Sequence, residues 1–471
     1  MFGFDSRQKS VLHLTWAAFF LTFAAWFNMA PFNTTLMRAL GLSASEINIL
    51  MITNVALTIP ARIVIGTLVD RFGPRQVFSG LLLYTALVCF YFAWAQDFYD
   101  LLLARLLMGI AGGGFVVGIK MIAEWFPPAN MGTAQGIYAG WGNFGAAFAA
   151  FGLPPVAALF PEALGWRMAA GFSGALCLTW AFVYHRFSRE VAGAERNFKL
   201  SLVEAIEVTS RRDLVLQTLL WVPVYAALAA VIWRLAGPDS ALLNETAAFA
   251  LTGTLVVLYA FGVFRSIAAN LPRLAAPVPE EKRYEFSRIV ILCLVYALTF
   301  GSELAVVSMF PGFLETTFGL SVTVAGVLGS SFALMNVVTR PGGGWLADAF
   351  GPRRTLALMV AGGAAGYWGM STIGGGWPIG AAVALALACS AFLQAGNGAC
   401  FAMVPLIRRD LTGRMAGLAG AYGNVGAVFF LTALSLVEPQ NFFRLLGGFA
   451  LGVLLSLLFL KSFSKRHPSY S

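Results

Sequence analysis

Charge is scarce in this chain. Only 11% of its 471 residues are Asp, Glu, Lys or Arg, where a soluble globular domain carries about 25%. The 22 acids and 31 bases leave long runs with none, and an uncharged apolar run of about 20 residues can cross a bilayer as a helix. A soluble enzyme, a nucleic-acid-binding protein and a disordered chain are thereby excluded. The histidines (His13, His185, His467) all stand at the ends of apolar runs, so none is available inside one as a proton carrier. The five cysteines (Cys89, Cys177, Cys293, Cys389, Cys400) are isolated within apolar stretches, with no metal-ligand spacing and no pair that suggests a disulfide. No nucleophile–base set, metal cluster or nucleotide loop is visible, so neither enzyme chemistry, a metal nor a cofactor is expected. A cleavable leader is not apparent either, because the first apolar run, after Arg7 and Lys9, is long enough to remain an anchor.

What the chain has instead is apolar surface: 59% of it is hydrophobic and 14% aromatic. Six apolar segments lie near 13–32, 46–69, 76–96, 101–125, 131–157 and 167–187. Two more follow near 214–236 and 247–271, and six near 288–312, 322–346, 353–374, 377–403, 411–435 and 441–462. A membrane β-barrel would alternate polar and apolar residues, so the expectation is an all-α polytopic membrane protein of fourteen spans. The net charge of +9 forms no patch; the bases collect in alternate loops. Arg71, Arg75, Arg186, Arg189, Arg196, Lys199, Arg211 and Arg212 share a side with Lys282, Arg283, Arg353, Arg354, Arg408, Arg409 and Arg414. The tail bases Lys461, Lys465 and Arg466 fall there too, whereas 97–100 and 237–246 hold acids and no base. By the positive-inside bias both termini are cytoplasmic, in a cytoplasmic (inner) membrane.

The sequence repeats itself. GTLVDRFGPR at 66–75 recurs as GWLADAFGPR at 344–353, an offset of 278. GWGNFGAAF (140–148) recurs within GAYGNVGAVF (420–429), which places Asn424 281 residues after Asn143. Arg167 and Gly171 recur as Arg444 and Gly448, offset 277. Near-constant offsets imply two six-helix halves, and an even number of spans in each makes the repeat parallel. The expected division is an N-terminal half over 1–200, a linker with a transmembrane hairpin over 201–285, and a C-terminal half over 286–471. The hairpin enters and leaves on the cytoplasmic side, so it inserts without inverting the second half; it reads as an addition packed on the outside.

Each half carries one arginine deep in its second helix, Arg62 and Arg340, eight residues before Asp70 and Asp348. That is about 12 Å along a helix, close to the midplane of a core about 30 Å thick. An arginine there costs about 2.5–3.5 kcal/mol unless it faces a polar cavity. Equivalent repeat positions aim both at one central cavity, which calls for an anion between them or for buried carboxylates. Acids inside the segments are few. Gly132, Gly136 and Gly140, and Gly413 and Gly417, form smooth faces suited to close helix packing. Asn143 and Asn424 place matched amides beside that bare backbone, either for a small ligand or for a helix–helix hydrogen bond. Asp70, Arg71, Arg75, Asp348, Arg353 and Arg354 are charges of the cytoplasmic turns, expected in inter-helix contacts that break when the halves rock. Lys120 and Glu124 are spaced to pair with each other.

Glu303 lies inside the uncharged stretch ILCLVYALTFGSELAVVSMF, and its first-half counterpart at offset 278 is Ala25. It is either a titrating group or a fixed counter-ion for Arg340, Arg62 or Arg105. Bringing in a monovalent anion against an inside-negative potential costs about 2.3 kcal/mol per 100 mV. Concentrative uptake then needs co-transport of more than one proton or exchange for another anion; a channel would let the anion leak out.

The paired DRFGPR and DAFGPR turns resemble the cytoplasmic signature of the major facilitator superfamily. GWGNFGAAF and GAYGNVGAVF resemble the two signature segments of the NarK-type nitrate/nitrite porter family, as do HLTWAAFFLTFAAWFNMAPF (13–32) and QAGNGACFAMVPLI (394–407). The resemblance covers nearly all of both halves. It implies nitrate between Arg62 and Arg340, aromatics at Phe115 and Phe300, a hydroxyl at Tyr296, and the asparagines Asn143 and Asn424. Read without it, Phe115 and Phe300 are core residues. Two departures stand out: the hairpin, and Glu303, where exchangers have an uncharged residue. GSELAVVSMF resembles instead the proton-coupled importers. The resulting expectation is a monomeric importer of nitrate, with nitrite as a further substrate, working by proton symport and rocker-switch alternating access, with Glu303 carrying the proton. The alternatives are a nitrate/nitrite antiporter and a membrane anion sensor without turnover. The expected partners are the anion, protons and the lipid bilayer, and no nucleic acid.

Overall fold

The computed structural model describes residues 3–191, 206–237 and 242–460. Arg196, Lys199, Lys461, Lys465, Arg466 and Asp239, used above to orient the chain, lie outside the described residues. Among the described residues there are helices and no strand. Each of the fourteen expected segments falls on a helix, and ten helices or helix pairs are long and apolar enough to cross a membrane by length and composition. Met131–Ala157, Glu162–Phe187, Asn336–Phe350 and Pro352–Met370 are helical but are not among the ten. Glycines and polar side chains such as Gln135 and Arg340 dilute their apolarity.

Four of the long helices are broken part-way along. Ala44–Ala56 gives way at Leu57 to Thr58–Phe72, and its repeat counterpart Val322–Leu334 gives way at Met335 to Asn336–Phe350. Phe98–Met108 tightens into a 3-10 stretch, Gly109–Gly113, before Gly114–Trp125. Phe286–Tyr296 loosens into a π-helical turn, Ala297–Gly301, before Ser302–Phe318. Breaks of this kind free backbone groups, which must be met by side chains or line a polar site. The Thr58 hydroxyl donates to Gly109 O at 2.7 Å, and Trp26 and Asn54 exchange side-chain-to-carbonyl bonds at 3.0 Å.

The glycine faces do more than pack helices within a half. Met131–Ala157 packs chiefly on Asn336–Phe350 of the other half, and Thr412–Leu434 packs chiefly on Thr58–Phe72. A Cβ on Gly136 would stand 2.6 Å from the carbonyl oxygen of Arg340, and one on Gly417 2.5 Å from that of Arg62. Each glycine helix is thus seated on the backbone of the opposite half's buried arginine.

At the DRFGPR end the halves cap each other. The Asp348 carboxylate accepts from Gly132 N at 2.8 Å and from Thr133 N and Oγ1 at 2.7 Å. Asp70 accepts from Gly413 N at 2.9 Å and Arg414 N at 2.8 Å. Each aspartate therefore satisfies free donors at the start of the opposite half's glycine helix, where the helix dipole also favours negative charge. Lys120 approaches Asp70 at 3.1 Å and Glu124 at only 3.9 Å, so the bond across helices outweighs the expected i,i+4 pair. It also donates to Arg409 O at 3.2 Å, across the halves. Arg75 donates to His185 O and Arg353 to Leu458 O, each within its own half, and Arg71 is buried.

The inserted hairpin, Arg211–Ala236 and Glu245–Asn270, lies outside this arrangement. Its first helix packs on Thr412–Leu434 and Phe286–Tyr296, and the Tyr422 hydroxyl donates to Leu220 O at 2.6 Å. The second helix buries only Ser266 and Asn270, at the end that meets Gln217 and Val208.

Two predictions follow from these contacts. Gly136→Ala or Gly417→Ala lowers stability by about 1–3 kcal/mol, read as a drop in the thermal unfolding temperature in detergent. Gly253→Ala and Gly262→Ala on the hairpin, where an added Cβ meets nothing within 4 Å, leave it unchanged; equal effects at all four sites would contradict the seam. Replacing Asp70 or Asp348 by Ala removes a cap that contributes about 1 kcal/mol, with the larger loss at Asp70, where Lys120 is also stranded. An unfolding temperature unmoved by either change would show that the caps do not hold the halves closed.

Candidate functional site

Arg62 and Arg340 reach one aromatic cluster from opposite halves. Arg62 is 1% exposed and Arg340 0%. Their guanidinium carbons lie 5.5 and 5.6 Å from the centre of the same ring, Phe115. Arg62 is also 5.5 Å from Phe300, and Arg340 is 6.0 Å from Tyr296. Phe115 stands two residues after the 3-10 stretch, while Tyr296 immediately precedes the π-helical turn and Phe300 lies within it. The breaks therefore turn these rings toward one point. Tyr296 is parallel to Phe300 at 5.1 Å and 8°, and parallel to Phe115 at 6.0 Å and 3°. Phe401 stands edge-on to Phe115 and Tyr296 at 4.6 and 4.7 Å.

The hydrogen bonds of the two arginines are unequal. Arg62 donates Nε to Gly112 O at 3.1 Å and Nη1 to Gly420 O at 2.6 Å, one carbonyl from each half. Arg340 donates Nη2 to the Tyr296 hydroxyl at 3.1 Å, and its Nε and Nη1 are buried without a partner. A buried guanidinium with unmet donors costs several kcal/mol, and a carboxylate or another anion is what removes that cost. The carboxylate expected as one possible answer does not supply it by contact. Glu303 accepts at Oε2 from Asn397 Nδ2 at 3.1 Å and at Oε1 from Asn336 Nδ2. Arg340 acts on Glu303 through space, while Arg105 lies over Phe92, 4.0 Å from its centre. Two guanidiniums and one carboxylate leave the centre one positive charge in excess.

The matched asparagines have different surroundings. Asn424 is fully buried, one turn on from the Gly420 carbonyl that binds Arg62, and neither of its amide atoms has a partner. Asn143 is half-buried and donates back to Ala139 O of its own helix at 2.7 Å. The structure thus gathers Arg62, Arg340, Phe115, Tyr296, Phe300 and Asn424, with Glu303 behind Arg340, and leaves Asn143 engaged with its own backbone. Sequence reasoning passed over Phe401, Asn336 and Asn397. Phe401 and Asn397 both had a signal in the glycine-rich QAGNGACF segment; Asn336 had none beyond being polar in an apolar run.

The geometry suits a small anion that accepts several hydrogen bonds in a plane: two fork-shaped donors, amide donors and flat apolar faces. The sequence profile described as Major Facilitator Superfamily matches residues 15–430 and again 291–470. The chain is 42% identical to the nitrate/nitrite transporter NrtP of Picosynechococcus sp., over 94% of this chain and 87% of that one. It is 24% identical to the nitrite extrusion protein of Bacillus subtilis, over 97% and 93%. Among solved structures, the proton:xylose symporter XylE shares the fold with a TM-score of 0.64 at 14% identity, covering 97% of this chain and 96% of that one. These relatives are named as transporters, in keeping with the absence of an expected enzyme site in the sequence. With two arginines from a parallel repeat converging on one aromatic cluster, and with this likeness along nearly its whole length, the chain belongs to the major facilitator superfamily and, within it, to the NarK-type nitrate/nitrite porter family.

Proposed function

We propose that the chain imports nitrate, and nitrite as a related anion, by proton symport. The reading rests above all on Arg340, whose two unpartnered nitrogens share the Phe115 ring with Arg62 and have no carboxylate in contact. Nitrate is planar and weakly hydrated, so it gains bonds from guanidinium forks and loses little hydration against aromatic faces. Asn424 supplies an uncharged amide beside it; Asn143, at the matching helix position of the first half, joins it only on releasing Ala139 O.

Charge balance gives Glu303 its role. With Glu303 ionised the centre carries one excess positive charge, and one anion together with one proton on Glu303 leaves that total unchanged, so Glu303 accounts for one of the protons that uptake against the potential requires. Each ligand thereby favours the other, and such coupling is reciprocal. Release to the cytoplasm requires the halves, 1–200 and 286–471, to rock apart at the Asp70 and Asp348 caps and close on the other face. The basic loops put that end, and both termini, on the cytoplasmic side of an inner membrane. The fourteen spans include the 214–271 hairpin, which travels with the second half, and the unit of transport is the monomer. Exchange of nitrate for nitrite is the second reading, favoured by the relative named for nitrite extrusion.

Nitrate binding to the purified protein weakens at least about tenfold in Arg62→Lys and in Arg340→Lys, because an ammonium keeps the charge and loses the fork. Unchanged affinity in both would remove the arginines from the site. In proteoliposomes without internal nitrite, an inward proton gradient drives nitrate uptake in the wild type, and Glu303→Gln abolishes the gradient-driven part. Uptake that ignores the gradient and appears only with internal nitrite would establish exchange, with Glu303 a static charge.

A further inference from the structure

The two amides that hold Glu303 differ in freedom. Asn397 is tied at its other end, where its Oδ1 accepts from the Thr299 hydroxyl at 2.6 Å, a shorter contact than the one that hydroxyl makes with Val295 O at 2.9 Å, next to Phe300 in the π-helical turn. Asn336 is tied only to Glu303: its Oδ1 is buried with no partner. A carboxylate accepts from two amide N–H donors, whereas a protonated acid must itself donate from one oxygen. Asn397 could offer its oxygen only by breaking the bond to Thr299. Asn336 can turn its amide and present Oδ1 at the expense of no bond except the one that protonation has already weakened.

The position of Asn336 is equally specific. It is the first residue of Asn336–Phe350, directly after the break at Met335 and one turn ahead of Arg340. Its carbonyl lies under Gly140 of the opposite half, where a Cβ would stand 2.9 Å away. Its first-half counterpart at offset 278 is Thr58, whose hydroxyl is spent on Gly109 O. The same break therefore occurs in both halves, but only the second couples it to an acid.

Resting on the reading of Glu303 as the proton carrier, we propose that Asn336 is a positioning residue that reads the protonation of Glu303 and passes it to Arg340 through their shared helix. In the ionised state Asn336 Nδ2 donates to Oε1. When a proton from the outer aqueous side forms an O–H bond on Oε1, the amide turns and Oδ1 accepts it; the proton later leaves to cytoplasmic water. No covalent bond of Asn336 changes. The turn alters the first residue of the Arg340 helix at the point where it is broken and where Gly140 bears on it. Among the described residues, the ionisable groups coupled through charge to Glu303 are Arg340, Tyr296 and Tyr367, the last joined to Ser302 at 2.6 Å.

The test compares wild type with Asn336→Thr, the residue of the first-half counterpart, in proteoliposomes. The ratio of proton-driven nitrate uptake to nitrate counterflow falls about tenfold in the variant, the factor carried by one hydrogen bond of about 1.4 kcal/mol, and its dependence on external pH flattens. A ratio and pH profile equal to wild type would overturn the proposal, as would a loss of uptake and counterflow in equal measure. If wild-type uptake itself ignores the proton gradient, the symport reading has failed and this inference falls with it. A second measurement needs no variant: infrared difference spectra of wild type with carbonyl-labelled asparagine. Acidification shifts an asparagine carbonyl band together with the appearance of a protonated carboxyl band; asparagine bands that stay still while the carboxyl band appears would contradict the turn.

Discussion

Most of this molecule's architecture accommodates two positive charges, Arg62 and Arg340, buried where the two halves meet. A guanidinium stripped of solvent needs donors met on all sides, and here the protein meets Arg62 with backbone carbonyls and Arg340 with one phenol. One of those carbonyls is free because the helix carrying it is interrupted, while the other belongs to the continuous glycine helix Thr412–Leu434 of the opposite half. The 3-10 stretch releases Gly112 O to Arg62, and the π-helical turn sets Tyr296 and Phe300 parallel to each other. Helix breaks, expensive in lipid, persist because they line a polar centre rather than face hydrocarbon.

The glycine seams and the aspartate caps follow from the same constraint. A site built from both halves can be presented to either side of the membrane only if the halves meet along surfaces that separate without leaving bulky side chains interlocked. Gly136 and Gly417 press bare helix against the arginines' own backbone, so a shift of one half is felt directly by the charge of the other. Asp70 and Asp348 close one end through donors that a helix start always has free, which makes the contact specific and also separable.

The legible part of this design was the part carried by charge and by repetition. A single arginine inside an apolar run is costly enough to announce itself, and its recurrence at one offset aims Arg62 and Arg340 at one centre. The glycine faces were legible as faces; that they bear on the arginines of the opposite half was not, since spacing along one helix says nothing about its partner. Asn143 and Asn424 look equivalent in sequence, yet one folds back on Ala139 and the other stands unpartnered. Lys120 shows how a tertiary contact, Asp70 at 3.1 Å, overrides the local i,i+4 rule. Asn336 gave no pattern, because an isolated amide in an apolar helix looks the same whether it packs against a carbonyl or holds a carboxylate; Asn397 stood inside a quoted segment whose spacing says nothing of the acid it holds.

The central claim is that one anion is shared by two arginines contributed by opposite halves. A structure determined with nitrate bound tests it most directly. The account predicts density for a planar anion within hydrogen-bond reach of both Arg62 and Arg340 and against the Phe115 ring. Density engaging one arginine alone, or lying outside the aromatic cluster, would contradict it.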